Sequence, residues 1–542
     1  MTDDFIDNTT EIYHEIETLP ENWHLCFLEE LLDRLSNGSS ATQFSECAGF
    51  PITRIETISN GFIDTNRVKY VQETSKDFID KYGLKSGDIL FSHINSDSHL
   101  GKTALYKGLP KTLIHGINLL LLRPSRWISS PYLNYYLKFL RVKGVFIKVA
   151  QRAVNQSSIN QRKLSKIPIR LCPIDEQKRI VEKIEELFSD LDSGIDSLKN
   201  AQQQLKVYRH AVLKWAFEGK LTAQWREEQK RLGKLESVEV LLAQIKAERE
   251  RRYQGRFQNS LLPETETLFQ IPKGWYLVTL DQLSLLITSG SRGWAEYYSE
   301  SGDYFIRAQN ISTDELDLSN VAYVTLPQGV EGKRTNIKFE DLLITITGAN
   351  VTKTALVKIE FDKAAYVNQH VGLVRLTKYV NRKFIYYWII SPQNGRSQLT
   401  EAAYGAGKPG LNLTNLKEII IALPSLSEQN QIVDEIESRL SICDRLEAEI
   451  ETNLKKAEAL RQSILKQAFE GKLVPQDPND EPASVLLERI RAEREAQKNG
   501  KPTPASKRQS RKKKNLLELS GQIQLADDYD YKALRGDRHV ED

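Results

Sequence analysis

The chain has 542 residues, of which 40% are hydrophobic and 8% aromatic, a composition typical of a folded protein that is too long for a single core. A net charge of +3 does not by itself indicate a nucleic-acid-binding protein, and no apolar run reaches the ~18 residues that a membrane-spanning helix needs. The four cysteines have neither metal-ligand nor CxxC spacing, so we expect free thiols and a cytoplasmic location.

The first predicted regions are a short N-terminal segment and a globular domain. Residues 1–18 are acidic and lack the basic-then-apolar order of a secretory signal. Residues 19–172 contain short alternating apolar segments separated by Gly, Asn and Ser, which is typical of short strands and exposed loops. A helix is predicted at SPYLNYYLKFL (130–140), whose tyrosines we interpret as core residues. These patterns predict an α+β fold.

A long helix is predicted next, within a central region spanning 173–262. From 175 to 215 apolar residues recur at intervals of three, four or seven without a proline, which gives a rod about 60 Å long. Such a narrow apolar stripe is typical of a coiled-coil seam. The helix ends in AFEGKL (216–221), where Gly219-Lys220 resembles a C-cap, and a connecting helix follows at LLAQIKAERE (241–250).

The same order of elements then returns. A second globular domain is predicted over 263–424, with a strand at LLITIT (342–347) and a helix at NRKFIYYWII (381–390). The aspartates before the matching apolar segments, Asp88 and Asp341, are expected to stabilise turns. A second long helix and AFEGKL (468–473) occupy 425–497. The basic tail, 498–542, is predicted to be disordered.

A fixed offset identifies an internal repeat. The two AFEGKL segments begin 252 residues apart, at positions 216 and 468. The same offset links further motifs: Glu176-Gln177 with Glu428-Gln429, Pro20 with Pro272, and Trp23 with Trp275. The long helices have matching lengths and start signals, with Asp175 and Ser427 as candidate caps. We therefore expect them to pair with each other as an antiparallel coiled coil with pseudo-twofold symmetry; the alternative is that each packs on its own domain.

With this order of domains, helices and repeated motifs, the chain resembles the specificity subunit of type I restriction-modification systems over about residues 19–497. The resemblance is carried by the two AFEGKL segments and by two helix starts, IDEQKRIVEKIEELF (174–188) and LSEQNQIVDEIESRL (426–440). It implies two target recognition domains, at 19–172 and 263–424, that each read one half of a bipartite double-stranded DNA sequence. It further implies that the long helices set the spacing and recruit two methyltransferase subunits, with endonuclease/translocase subunits added in the full complex.

Candidate DNA contacts are polar and cationic residues on loops, because base edges and phosphates are read by such side chains. Those in the first domain are Asn60, Asn66, Arg67, Lys69, Ser92, His93, Asn95 and Lys102. Those in the second domain are Arg292, Arg307, Gln309, Asn310, Asn350, Lys353, Tyr404 and Lys408. Each is alternatively a solvated loop residue, and the resemblance does not single out base contacts, since these vary with the target.

Residues held constant between the copies are candidates for partner contact. They are Glu176, Gln177, Phe217, Lys220, Glu428, Gln429, Phe469 and Lys472. An alternative interpretation is that they are constant because they preserve the pairing of the helices.

No catalytic site is predicted in this chain. An adenine methyltransferase would need an Asn/Asp-Pro-Pro-aromatic motif, which is absent, and GAGKPG (405–410) lacks the Ser or Thr and the glycine spacing of a phosphate loop. The eight histidines form no HExxH or HxH motif. We therefore expect no cofactor on this chain, whereas the resemblance implies partner subunits that use S-adenosylmethionine, ATP and Mg²⁺. The alternative function is a coiled-coil scaffold without sequence-specific DNA binding.

Overall fold

The computed structural model of the protein describes residues 19–46, 48–153, 156–253, 271–290, 292–327, 332–403 and 410–499. The chain forms two compact units. Unit 1 comprises Met1–Leu191 with Glu458–Asp542, and unit 2 comprises Asp192–Ala457. Each unit therefore combines residues from both sequence repeats. The predicted N-terminal segment and nearly all of the basic tail lie outside the described residues.

The described part of the chain contains short strands and helices of very different lengths. The strands are β1 (His24–Phe27), β2 (Leu32–Asn37), β3 (Phe50–Ile52), β4 (Lys69–Val71), β5 (Ile89–Ser92), β6 (Ile94–Asn95), β7 (Thr103–Leu105), β8 (Leu119–Pro124), β9 (Gln151–Ala153), β10 (Gln156–Ser158), β11 (Pro168–Leu171), β12 (Tyr276–Thr279), β13 (Ser284–Ser289), β14 (Tyr298–Ser299), β15 (Asp303–Ile306), β16 (Ala322–Val324), β17 (Leu342–Thr345), β18 (Thr354–Leu356), β19 (Ala365–Val367), β20 (Val371–Leu376) and β21 (Ile420–Leu423).

The helices follow the same chain order. They are α1 (Lys76–Tyr82), α2 (Ser130–Val142), α3 (Val145–Val149), α4 (Gln161–Ser165), α5 (Ile174–Phe217), α6 (Ala223–Arg231), α7 (Val238–Tyr253), α8 (Leu280–Leu283), α9 (Arg382–Ile390), α10 (Gly395–Ala402), α11 (Leu413–Lys417), α12 (Leu426–Phe469) and α13 (Ala483–Asn499). Single 3-10 turns occur at Leu28–Leu31, Glu56–Ile58, Trp294–Tyr297 and Ala308–Asn310.

Each unit is built on a four-stranded antiparallel sheet with the same strand order. The order is β2-β8-β5-β7 in unit 1 and β13-β20-β17-β18 in unit 2. Even the irregularity in the first strand recurs, between Leu32 and Arg34 and between Ser284 and Leu286. Both units mix helices with sheets, as the α+β prediction required, and the predicted strand at 342–347 is β17.

The units differ in what surrounds this sheet. Unit 1 adds the pair β3-β4 and the three-stranded sheet β6-β10-β9, whereas unit 2 adds the mixed sheet β14-β16-β15-β19, in which β15 and β19 are parallel. In both units a two-stranded ribbon, β1-β11 or β12-β21, joins the start of the globular domain to its end. The four-stranded sheet and the two-stranded ribbon therefore form a frame that both units share, whereas the strands and loops around this frame differ.

Two buried aspartates hold equivalent turns, as predicted. Asp88 and Asp341 each accept the backbone N–H of the residue three positions earlier at 2.7 Å. Each also pairs through both carboxylate oxygens with an arginine on the neighbouring strand, Arg123 at 2.7 Å and Arg375 at 2.6 and 2.8 Å. Burial raises the pKa of Asp341, and Arg375 opposes that shift. The aspartates thus fasten strand pairs as well as turns, which the sequence pattern did not indicate.

The two long helices extend slightly beyond the predicted limits. Both α5 and α12 contain 44 residues, and α5 begins one residue before the predicted start and ends two residues after the predicted end. The cap prediction was wrong by two positions in each helix, because Asp175 and Ser427 lie inside the first turn. The hydroxyl of Ser425 accepts the N–H of Glu428 at 3.3 Å instead.

The predicted C-caps of the long helices are confirmed. Gly219 and Gly471 have φ values of 67° and 72°, in the left-handed region that favours glycine. A Cβ atom at either position would also come within 3 Å of a proline ring, that of Pro272 or Pro20 respectively. The helix end of one repeat therefore packs closely against the start of the globular domain of the other repeat.

Candidate nucleic-acid interface

The glutamate at the start of each long helix is buried within its own unit. Trp23 donates its indole N–H to Glu176 at 3.0 Å, and Trp275 donates to Glu428 at 3.1 Å. The glutamates are only 1% and 2% exposed. Each bond fastens a long helix to the first strand region of the globular domain before it in sequence.

The adjacent glutamines make a second, equally matched set of bonds. Gln177 accepts the N–H of Ser129 at 3.0 Å, and Gln429 accepts the N–H of Asn381 at 2.9 Å. Both side chains also donate to a backbone carbonyl five residues earlier at 2.9 Å. Both glutamines are fully buried. Partner contact by the Glu-Gln pairs stays a prediction, and it would require these buried side chains to become exposed.

The AFEGKL phenylalanines belong to aromatic clusters. The Phe469 ring lies 5.5, 4.9 and 5.4 Å from the rings of Tyr132, Tyr136 and Phe139 on α2. The Phe217 ring lies 5.6 and 5.0 Å from Phe384 and Trp388 on α9. This packing agrees with the interpretation of the aromatic helices as core elements.

Two of the eight partner candidates lie on the surface. Lys220 and Lys472 are exposed and pair with Glu218 at 2.6 Å and Glu470 at 2.9 Å. The other six are buried in contacts with the globular domains. These contacts give a structural reason for their constancy between the copies that is distinct from the predicted pairing of the long helices.

In unit 1 the predicted loops lie next to each other. Asn60 and Asn66 are exposed, and Lys69 is half-buried in β4. Arg67 is exposed but engaged, since it contacts Asp64 at 3.2 Å and the Ser59 hydroxyl at 3.1 Å. The ammonium group of Lys102 donates to the Ser59 carbonyl at 2.7 Å, which ties the second predicted loop to the first.

Three candidates of this second loop face inward to different degrees. Ser92 is 1% exposed and accepts from the half-buried Asn95 at 3.4 Å. His93 is 8% exposed, and burial lowers its pKa to about 4, so its ring is neutral at pH 7. Ser92 and His93 are therefore placed as supports of the loop, not as projecting side chains, because β5 continues to Ser92.

In unit 2 the RAQN segment is mostly a backbone support. Asn310 is 2% exposed, donates to the carbonyls of Asp317 at 2.9 Å and Asn320 at 3.2 Å, and accepts the N–H of Arg307 at 3.0 Å. Arg307 also donates to the Asn320 carbonyl at 3.1 Å. By contrast, Gln309 is exposed. Asn310, like Ser92 and His93, differs from the expectation of a projecting loop residue.

The remaining candidates of unit 2 lie on separate loops, two of which contact each other. Asn350 donates to the Ala308 carbonyl at 3.3 Å, and Lys353 lies 3.2 Å from the Asp314 carboxylate. Arg292 is exposed in the loop after β13. Tyr404 and Lys408 lie outside the described residues. In unit 1 the loop after the 3-10 turn Glu56–Ile58 thus contacts the loop before β7. In unit 2 the loop after the 3-10 turn Ala308–Asn310 contacts the loop before β18.

Sequence reasoning missed the cations that buttress these loops. Arg141 donates to the carbonyls of Ser98 at 2.6 Å and Leu100 at 3.2 Å, and Lys138 donates to the Gly61 carbonyl at 3.2 Å. In unit 2, Arg396 bonds Asp314 at 2.5 Å. The detectable signal was the i, i+3 spacing of Lys138 and Arg141 on an otherwise aromatic helix.

The described residues offer no metal site. Over the described ranges, no group of three or more His, Cys, Asp or Glu side chains could hold a metal ion. No helix in the described part of the chain is both long and apolar enough to cross a bilayer. Cys26, Cys172 and Cys443 are free and buried, as the thiol prediction expected.

The similarity of this chain to known proteins follows the same two-repeat architecture. The family model of the type I restriction modification DNA specificity domain matches twice, at residues 20–206 and 267–456. The chain is 44% identical over 204 residues to the MjaX specificity subunit of a type I restriction enzyme from Methanocaldococcus jannaschii, an alignment that covers 38% of this chain and 47% of that relative. It is 25% identical over 462 residues to the EcoKI specificity subunit from Escherichia coli, covering 82% of this chain and 89% of that one.

A solved structure shares the fold. Its chain comes from work on complex assembly and conformational transition of the type I R-M system, with a TM-score of 0.60 at 18% identity, covering 84% of this chain and all of that chain. The duplicated family match spans more than half of the sequence and coincides with the two sheet frames and the starts of the two long helices. The chain therefore belongs to the family of type I restriction-modification DNA specificity subunits.

Proposed function

We propose that the globular domain of each unit reads one half of a bipartite double-stranded DNA target. The observation that carries this proposal is the pair of matched frames, β2-β8-β5-β7 and β13-β20-β17-β18, each bearing different surrounding strands and loops. Equal frames present their loops in equivalent positions, while the different loops suit different base sequences. The exposed candidates Asn60, Asn66, Gln309 and Arg292 are the side chains best placed for such contacts.

The proposed spacer is an antiparallel coiled coil of α5 and α12. Contacts inside each unit support it. In unit 1, Arg461 near the end of α12 lies 4.8 Å over the ring of Phe188 near the start of α5. In unit 2, Arg209 near the end of α5 contacts Asp444 at 2.6 Å and Glu447 at 2.9 Å near the middle of α12. Both sets of contacts join the last quarter of one helix to an earlier part of the other, as antiparallel pseudo-twofold pairing requires.

Methylation and cleavage are proposed to reside in partner chains. Two methyltransferase subunits would dock by the same pseudo-twofold symmetry, and endonuclease/translocase subunits would join that complex. S-adenosylmethionine, ATP and Mg²⁺ would then be cofactors of those subunits. Lys220 and Lys472 are the predicted partner contacts that are already on the surface.

Methylation-aware sequencing of host DNA and binding measurements with the methyltransferase complex test the proposal. We expect one bipartite motif and selective binding of duplexes that contain it, measured at several salt concentrations because phosphate contacts are salt-dependent. Exchanging residues 20–172 for the first domain of a relative should change one half of the motif, and exchanging 272–423 should change the other. Binding without preference for any bipartite sequence would instead favour a scaffold.

A further inference from the structure

The loops before β7 and β18 end in the same residue, a lysine, but its positive charge is compensated differently in the two units. Lys102 and Lys353 each stand immediately before a Thr-Ala-Leu strand, β7 or β18. In unit 2 the Lys353 ammonium group lies 3.2 Å from the carboxylate of Asp314. In unit 1 the Lys102 ammonium group instead donates to a backbone carbonyl, that of Ser59 at 2.7 Å.

In unit 2 the carboxylate of Asp314 pairs with two cations and is held in place by further hydrogen bonds. Its carboxylate contacts Arg396 at 2.5 Å as well as Lys353, and it accepts the N–H of Thr354 at 3.0 Å. Its own carbonyl accepts the hydroxyl of Tyr386 at 2.7 Å, and its backbone adopts a φ of 63°. One carboxylate therefore compensates two cations and is itself held on three sides.

In unit 1 Lys102, the equivalent of Lys353, and Arg141, which lies on α2, have no such carboxylate beside them among the described residues. Over the residues that the structure describes, Lys102 and Arg141 form no ion pair, and their bonds go to the carbonyls of Ser59, Ser98 and Leu100. The exposed Glu458 acts on Arg141 only from a longer distance. Lys138 adds a third positive charge beside Gly61.

The pKa shifts of two neighbouring groups have burial as their main cause and the nearby cations as their second cause. Burial and then Arg141 lower the pKa of Lys102. Burial and then the two cations also lower the pKa of His99. An ammonium group has three donors and a guanidinium group five, so Lys102 and Arg141 retain N–H groups beyond the bonds described above. A monoanion beside them would satisfy those donors and compensate the charge.

We infer that Lys102 and Arg141 form a phosphate-binding site in unit 1, which holds the DNA backbone beside the half-site read by that unit. The inference rests on the proposed function. In unit 2 the Asp314 carboxylate neutralises Lys353, the equivalent of Lys102, so the backbone contacts of the two half-sites are unequal. A phosphate contact positions the protein without reading sequence, and each neutralised phosphate contributes about 0.9 to the slope of log affinity against log salt.

The test uses the full chain in complex with its methyltransferase subunits and a duplex carrying the motif found by methylation mapping. Lys102→Gln should weaken binding evenly across sequences and reduce the salt slope by about one. Lys102→Arg should retain the slope. Asp314→Asn should increase it, because Lys353 and Arg396 lose their compensating charge. The matched control, Lys178→Gln, removes a lysine of unit 1 that already pairs with Asp175, and the slope should not change.

The outcomes separate the inference from the function on which it rests. An unaltered complex that binds every duplex equally refutes the proposed function. An unaltered complex that binds selectively, with the same salt slope in Lys102→Gln, refutes only the phosphate site. If Lys102→Gln lowers the melting temperature of the complex, Arg141→Gln provides the measurement, with the same expected fall in slope.

Discussion

At the scale of single residues, Glu176 and Glu428 occupy equivalent positions with unequal partners. The Oε1 atom of Glu428 accepts from Thr222 at 2.8 Å and contacts Arg226 at 2.6 Å. The positions equivalent to these partners in unit 1 are a valine and a proline, at 474 and 478. The Oε1 atom of Glu176 is buried and has no hydrogen-bond partner among the described residues. Its carboxylate is therefore less stabilised.

This inequality predicts opposite effects of the same substitution. Burial raises the pKa of Glu176, although Trp23 and Arg179 oppose the shift. Folding thus favours its protonated form, so its contribution to stability is present below the unfolded pKa and is lost as pH rises through the folded pKa. Glu176→Gln should abolish this loss and leave stability at pH 7 unchanged or higher. Glu428→Gln should lower it by about 1–3 kcal/mol, because Arg226 loses a charged acceptor.

Thermal unfolding between pH 4 and 8 checks both variants, with the unaltered chain as reference. A larger loss at pH 7 from Glu176→Gln than from Glu428→Gln would contradict this account. The 252-residue offset identified the Glu-Gln pairs as equivalent segments of the two repeats. It could not predict their different hydrogen bonding, because Thr222 and Arg226 lie about 200 residues from Glu428 along the chain. Nor could it distinguish buried Ser, His and Asn from exposed ones, since turns and base contacts use the same residue types.

At the scale of elements, the helices were more predictable than their neighbours. The predicted α2, α5 and α9 agree with the structure within about two residues at each end, because their apolar spacing and flanking polar residues define local limits. The offset of 252 also identified equivalent segments. It did not reveal that the AFEGKL helix end of one repeat completes the core of the other repeat's domain, since equivalence in sequence carries no information about contact.

That crossed packing predicts where a core substitution acts. Phe469 is fully buried against α2, in a core that also contains Leu486, Leu487 and Ile490 of α13. Phe469→Ala should lower the stability of unit 1 by about 3–5 kcal/mol. Hydrogen exchange should then accelerate in α2, about 330 positions earlier in the chain. Leu460→Ala is the control, because Leu460 is 50% exposed on the same helix. Faster exchange confined to unit 2 would contradict the assignment.

At the scale of the whole molecule, the proposed spacer makes a geometric prediction. Inserting seven residues after both Leu198 and Ile450 preserves the heptad register of α5 and α12. At ~1.5 Å per residue the spacer grows by about 10 Å, which corresponds to roughly three base pairs at 3.4 Å per step. The methylated motif should keep both half-sequences and gain a longer gap. An insertion after Leu198 alone should disrupt helix pairing and lower the melting temperature. An unchanged gap in the double insertion would contradict the spacer proposal.

The division of the chain between the units also has a consequence for biosynthesis. Unit 2 is the continuous segment Asp192–Ala457, whereas unit 1 needs Glu458 onwards to complete its core. The first globular domain therefore leaves the ribosome well before Phe469 and α13 exist. At a synthesis rate of about 5–20 residues per second, the apolar surface of α2 that Phe469 will cover stays exposed for roughly 15–60 seconds. Nascent chains halted within residues 300–450 should therefore bind a chaperone at the first domain, and release it once α13 has emerged.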